Sequence, residues 1–206
     1  MSEPYNPLDK LNLARSIEVE LLGRPMVEFD ALGDLMGAGV YAIYYFGPFP
    51  AYAPITDGGR PIYVGKAIPR GGRKGGLGAN AGVGRALRDR LGQHASSIQQ
   101  ATNLELGDFK VRALVVDDIW IPLGENMLIE SFQPVWNVVI DGFGNKTPGA
   151  RRATQFRSPW DVLHPGRTFA EMLAMHPLGA ELFEKRVIDF FSGQSVPLLD
   201  PENQAD

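Results

Sequence analysis

Three stretches of this 206-residue sequence carry side chains suited to work on a phosphate ester. GVYAIYY (39–45) and PIYVGKA (61–67) put tyrosines on two apolar runs rich in Val and Ile, with Lys66 near the end of the second. A buried strand has no need of a phenol, because Phe fills the same space without a hydroxyl to satisfy. LRDRLGQH (87–94) sets Arg90 and His94 four residues apart, on one face of a helix. ENMLIESFQPVWN (125–137) opens with Glu125 and closes with Asn137, just past a break at Pro134. An arginine holds phosphate oxygens through its planar fork. A single carboxylate suits Mg²⁺, which keeps several waters and needs few protein ligands.

Charge is distributed to match. The chain as a whole carries −4, yet residues 60–90 hold eight basic side chains against one acid, a segment of +7 in a remainder of −11. Screening limits charge effects to about 10 Å, so an acidic body with one basic segment still binds a polyanion locally. The segment is Arg60, Lys66, Arg70, Arg73, Lys74, Arg85, Arg88 and Arg90; a bland reading of it is a solvated loop. Zero cysteines exclude disulfides and thiolate zinc sites, and fit a reducing compartment. His94, His164 and His176 are too scattered for a structural metal site. No apolar run is long enough to span a membrane, and Met1 opens no signal-peptide pattern, so the expectation is a soluble cytosolic chain.

The elements that must position these residues follow from pattern. Residues 9–23 space Leu11, Leu13, Ile17, Leu21 and Leu22 as one helix face, stopped by Gly23-Arg-Pro25. Strands are expected over 40–46, 61–65 and 109–116, the first two antiparallel. Helices are expected over 85–100, with Leu87, Leu91 and Ile98 inward, and over 123–132, 168–175 and 178–191. Residues 135–140 read as a short strand or extended segment, 47–60 as a Pro/Gly-rich connection, and the tail from Pro197 as loose. The glycine-rich loop 68–84 matches neither the GxxxxGK[ST] phosphate loop nor the GxGxxG dinucleotide fingerprint. Tyr44, Tyr45, Trp120, Trp136 and Trp160 read as packing residues, and His164 and His176 as structural or solvent-facing.

Taken in order, these pieces resemble the GIY-YIG nuclease superfamily. GVY stands for its first motif, YVGKA for its second, LRDRLGQH for its Arg-x-x-x-His helix and ENMLIESFQPVWN for its Glu helix with the trailing Asn. The resemblance covers about 39–140, with 47–60 and 68–84 as insertions and with 1–38 and 141–206 as N- and C-terminal helical extensions of a single domain. It implies an α/β (α+β) fold, a small central antiparallel sheet flanked by helices. It also implies hydrolysis of a phosphodiester with one divalent metal, Mg²⁺ or in its place Mn²⁺, held by Glu125. Glu130 competes with Glu125, but its spacing to Asn137 is seven and the family pattern uses twelve. By the resemblance Tyr41 is the base that activates water, near Lys66 or the metal-bound waters, and Tyr63 orients the water or the phosphate. Arg90 holds a phosphate oxygen, Asn137 supports the site, and His94 either hydrogen-bonds the phosphate or is the alternative base.

The family serves several tasks, so fold alone does not choose a substrate. A chain of this length without zinc or helix-hairpin-helix modules resembles the type II restriction endonucleases of the family, most of all the subgroup that cuts the GC-rich palindrome CCGCGG. That implies double-stranded DNA as substrate, a homodimer on a two-fold site, no membrane, and a bacterial cytoplasmic setting. Arg70, Arg73, Lys74, Arg85 and Arg88, with Arg151, Arg152 and Arg157 as a second group, are the expected DNA contacts. Each is expected on a phosphate more than on a base, since most protein–DNA hydrogen bonds go to the backbone. The alternative is a structure-specific or weakly specific nuclease of repair or mobile elements.

Overall fold

A computed structural model describes residues 10–69, 84–145 and 155–196. The order of elements is α1 (Lys10–Gly23), β1 (Val27–Glu28), β2 (Gly39–Tyr45), β3 (Tyr63–Ala67), α2 (Ala86–Gln100), β4 (Phe109–Val115), α3 (Ile121–Phe132), α4 (Val135–Val138), α5 (Pro159–Leu163), α6 (Thr168–Glu171) and α7 (Ala180–Phe191). The four strands form one antiparallel sheet in the order β1-β4-β2-β3, with helices flanking it, as the motif order leads one to expect. At the edge, Val27 stands opposite Val111 and Glu28 opposite Lys110. By internal packing the chain falls into two units. One comprises Met1–Ile43, Val64–Gly92 and Lys110–Gln133; the other comprises Tyr44–Tyr63, Gln93–Phe109 and Pro134–Asp206.

In the first unit, β2 approaches β4 so closely that a Cβ on Gly39 would overlap the Leu114 carbonyl. The glycine of GVY is therefore required by backbone approach. Helix α3 makes a similar demand. Gly124 lies against α1 and β2, where a Cβ would stand 3.1 Å from Ile17 Cδ1. Ser131 of α3 donates to Glu18 of α1 at 2.7 Å. Arg112 of β4 caps α1 by donating to the carbonyls of Leu22 and Arg24. Leu87 and Leu91 of α2 are buried as their spacing predicts, whereas Leu22 faces solvent, since the inward stripe of α1 is narrower than its five leucine and isoleucine positions suggest. The side chains of Leu11 and Leu13 lie outside the described residues.

Helix α3 ends at Gln133, which takes the left-handed conformation (φ 46°). Its N–H donates to Ile129 O at 2.8 Å and its side-chain amide to Glu130 O at 3.0 Å, so one residue both turns the chain and satisfies two terminal carbonyls.

The second unit corrects several sequence expectations. Residues 135–138 form one helical turn instead of a strand; Pro134 leaves its carbonyl free to accept from Asn137 N at 2.9 Å and Val138 N at 3.1 Å, and burial of Val135 and Trp136 overrides their strand preference. The connection 47–60 contains a 3₁₀ segment, Pro50–Ile55, that buries Ala51, Tyr52 and Ile55. Helix α6 stops at Glu171, short of Met175, because the chain then turns to bridge Ala174 with Phe156. A further turn, α5, starts at Ser158, whose Oγ accepts from Asp161 N. Trp136 and Trp160 are buried, as expected of packing residues; Trp120, in the first unit, is 38% exposed because it only enters α3.

His164 is buried in a hydrogen-bonded chain. Its Nδ1 lies 2.9 Å from Asn103 Oδ1 and its Nε2 2.6 Å from Tyr52 OH, to which Trp136 Nε1 also donates at 2.8 Å. Asn103 Nδ2 donates to Leu163 O, so its Oδ1 is the acceptor. His164 must then carry its proton on Nδ1, and Tyr52 donates to the bare Nε2. Burial, then the charge of Arg167, lowers the His164 pKa from 6.5 to about 3, and burial holds the Tyr52 phenol well above its ordinary value.

Candidate active site

The candidate residues fall on five elements, and each unit holds its own group. In the first unit, Tyr41 sits in mid β2, a strand buried along its whole length. Lys66 is the one half-exposed position of β3, whose other residues are buried. Its Nζ meets Glu125 Oε2 at 2.5 Å, with the two side chains 32% and 17% exposed. Arg90 is half-buried on α2, one turn after the helix begins. Glu130, the competing carboxylate, lies on the exposed face of α3.

In the second unit, Tyr63 and His94 come together. Their rings are 5.2 Å apart in an edge-on arrangement, and both side chains are buried. A third ring completes the group. Phe143 stacks on His94 at 4.5 Å with planes only 18° apart, and presents an edge-on contact to Tyr63 at 5.0 Å. Asn137 is half-buried on α4. The backbone N–H of its neighbour Trp136 donates to Ile62 O at 3.0 Å, beside Tyr63. Tyr63 and Lys66 belong to one strand, and Arg90 and His94 to one helix.

Phe143 escaped the sequence reading, because a lone Phe in a polar, glycine-containing stretch carries no periodic signal. The same holds for Asp161 and Arg167. The only trace of them is a buried-sized set of Trp, Phe and Arg beyond residue 140.

Among the expected DNA contacts, Arg85 is exposed and Arg88 half-buried, at the start of α2. With Arg90 they put three cations at the positive end of a helix dipole, a placement unfavourable for the isolated helix and favourable toward a phosphate. Arg157 donates from Nη2 to Glu171 O at 3.2 Å, and so is engaged with backbone of its own unit. Arg70, Arg73, Lys74, Arg151 and Arg152 lie outside the described residues.

No group of three or more His, Cys, Asp or Glu is close enough to cage a metal among the described residues. The donor chemistry nevertheless fits one kind of ion. Glu125 offers hard carboxylate oxygen, partly exposed and paired with Lys66. That suits a cation whose remaining ligands are water and phosphate oxygen.

The family model of the Eco29kI GIY-YIG domain matches residues 34–191. The chain belongs to this family. It is thus a GIY-YIG endonuclease by domain, with DNA as its substrate. No individual curated protein matches the chain. The match runs well past residue 140, so Phe143, Asp161, Arg167 and α7 lie within the GIY-YIG domain of this family. No helix among the described residues is long and apolar enough to cross a membrane.

Proposed function

We propose that the protein is a type II restriction endonuclease that hydrolyses both strands of double-stranded DNA at a short GC-rich palindrome such as CCGCGG, as a homodimer in the bacterial cytoplasm. The observation that carries this reading is the family match itself: residues 34–191 enclose Tyr41, Tyr63, Lys66, Arg90, His94, Glu125 and Asn137 as one ordered set.

Each residue has a task that its chemistry allows. Arg90 grips non-bridging oxygens of the scissile phosphate through its fork. Glu125 would hold Mg²⁺, with Mn²⁺ able to substitute, and such an ion would supply charge stabilisation at the phosphate. Lys66 aims the Glu125 carboxylate through their ion pair. Tyr41 in its phenolate form accepts the proton of the attacking water and becomes the phenol, and Tyr63 orients that water. His94 donates to the phosphate, or replaces Tyr41 as the base; a pH–rate profile of Tyr41→Phe set against His94→Gln separates the two. Asn137 supports the site from α4. Arg85 and Arg88, with Arg70, Arg73, Lys74, Arg151, Arg152 and Arg157, bring the duplex in through its backbone.

The test is a plasmid digest with Mg²⁺, wild type against Glu125→Ala, with the fragment ends mapped. Discrete fragments from the wild type alone support the reading and give the site. Nicking or a smear supports the structure-specific or weakly specific alternative. Intact plasmid refutes the nuclease mechanism.

A further inference from the structure

We infer that Phe143 is a positioning residue for the cleavage reaction, fixing the plane of the His94 imidazole, and that the buried Arg167–Asp161 pair exists to hold Phe143 in place. The inference rests on the reading that His94 acts at the scissile phosphate.

The argument starts at the ion pair. Arg167 and Asp161 are almost wholly buried. Arg167 Nε donates to Asp161 Oδ1 at 2.6 Å and Nη2 to Oδ2 at 2.8 Å. A buried pair of this kind often contributes no more stability than apolar residues of similar volume, so its presence asks for another reason. The remaining donors give one. Nη1 donates to Phe143 O at 3.0 Å and Nη2 to Gly142 O at 2.9 Å. The guanidinium plane is held over Trp160 at 4.5 Å. Asp161 is itself placed by Ser158, whose hydroxyl donates to Oδ2 at 2.6 Å. The fork therefore fixes two successive carbonyls on the segment that turns through Gly142 (φ +107°). The same segment is tied from its other side, where Trp160 N donates to Asp141 O at 3.0 Å.

That backbone delivers the Phe143 ring between Trp136, at 4.6 Å, and Trp160, at 5.2 Å, with its face on His94. An imidazole directs both nitrogens within its ring plane, so a partner stacked at 18° sets where either nitrogen aims. Tyr63 closes a second edge of the same His94 ring. Phe143 touches no reacting atom in this account; it acts through His94.

The experiment has two arms. In the first, ¹³C-labelled histidine is followed by NMR in the wild type, the His94 resonance being assigned by its loss in His94→Gln. A His94 Cε1–H signal displaced by the ring current of Phe143, and relaxing in Phe143→Leu, is expected; a wild-type signal at the unstacked position overturns the inference. In the second arm, single-turnover cleavage and duplex binding are measured on an oligonucleotide carrying the site mapped from the plasmid. Phe143→Leu keeps volume and apolarity but not the flat face. Its cleavage rate is expected to fall about a hundredfold, the scale of an ångström-level misplacement, with binding little changed. Wild-type cleavage by a folded Phe143→Leu overturns the inference, as does a loss confined to binding. If Phe143→Leu does not fold, Arg167→Lys, which removes the fork and leaves the ring, carries the same expectation and the same refutation. His94→Gln cleaving normally refutes the underlying role of His94, a result distinguishable from failure of the positioning argument because the NMR arm still reports the stack.

Discussion

Acidification provides a quantitative test of the His164 network. The folded state holds His164 neutral, with its pKa lowered from 6.5 to about 3 by burial and by Arg167, while the unfolded chain titrates normally. Below pH 6.5 the unfolded state therefore binds a proton that the native state refuses, so stability falls as pH falls. The contribution is fully present above pH 6.5 and is lost across the window down to about 3. At about 1.36 kcal/mol per pH unit, it costs roughly 3 kcal/mol at about pH 4.5 and on the order of 5 kcal/mol at the bottom of the window. Against a total stability of about 5–15 kcal/mol, this is a large fraction. The comparison is with His164→Gln, whose Oε1 can accept from Tyr52 in place of Nε2 but does not titrate. Urea unfolding, followed by tryptophan fluorescence from neutral pH downward, gives stability for each protein. Carboxylates, and His176, whose pKa is also lowered by burial, contribute equally to both and cancel. The wild type is expected to lose about one proton's worth of slope more than the variant below pH 6.5. Parallel curves would refute both the neutral tautomer and the hydrogen-bond chain derived from it.

Three further outcomes follow from the geometry. Tyr41→Phe, which removes one hydroxyl from a buried strand, is expected to keep fold and duplex binding and to lose most cleavage, read by circular dichroism, gel shift and a plasmid digest; near-normal cleavage would end the proton-acceptor role. Glu125→Ala is expected to abolish metal-dependent cutting and to weaken Mg²⁺ binding by calorimetry, and unchanged binding would place the ion elsewhere. Lys66→Met is expected to cost no more than about 1 kcal/mol in a urea titration, because a partly exposed pair is screened, yet to slow cleavage strongly; a large stability loss with intact cleavage would make the pair structural.

The strands and helices that carry the candidate residues were legible because their signals are local. GVYAIYY is an uninterrupted apolar run, and it became a strand buried at every position. Leu87, Leu91 and Ile98 are spaced as a helix face, and all three are buried. Glu125 was preferred to Glu130 on spacing; in the fold it pairs with Lys66, while Glu130 is exposed. Local signals failed where burial reversed a preference. Val135–Val138 is β-branched and aromatic in composition, yet one turn of helix serves there because it follows Pro134 and buries two side chains. Tyr52 was hidden in a Pro/Gly-rich connection, since nothing in 47–60 has a period, and it became a buried hydrogen-bond donor to His164.

What the sequence determined by itself was the order of the motif residues and the elements that carry them, because helix and strand periods and glycine or proline stops act over a few residues. Tertiary structure decided the partners. That Phe143 stacks on His94, that Arg167 and Asp161 hold Phe143, and that Asn103, Tyr52 and Trp136 surround His164 all join residues tens of positions apart. Such contacts leave no local pattern, since each depends on burial that only the folded chain creates, where a polar group without a partner is too costly to keep.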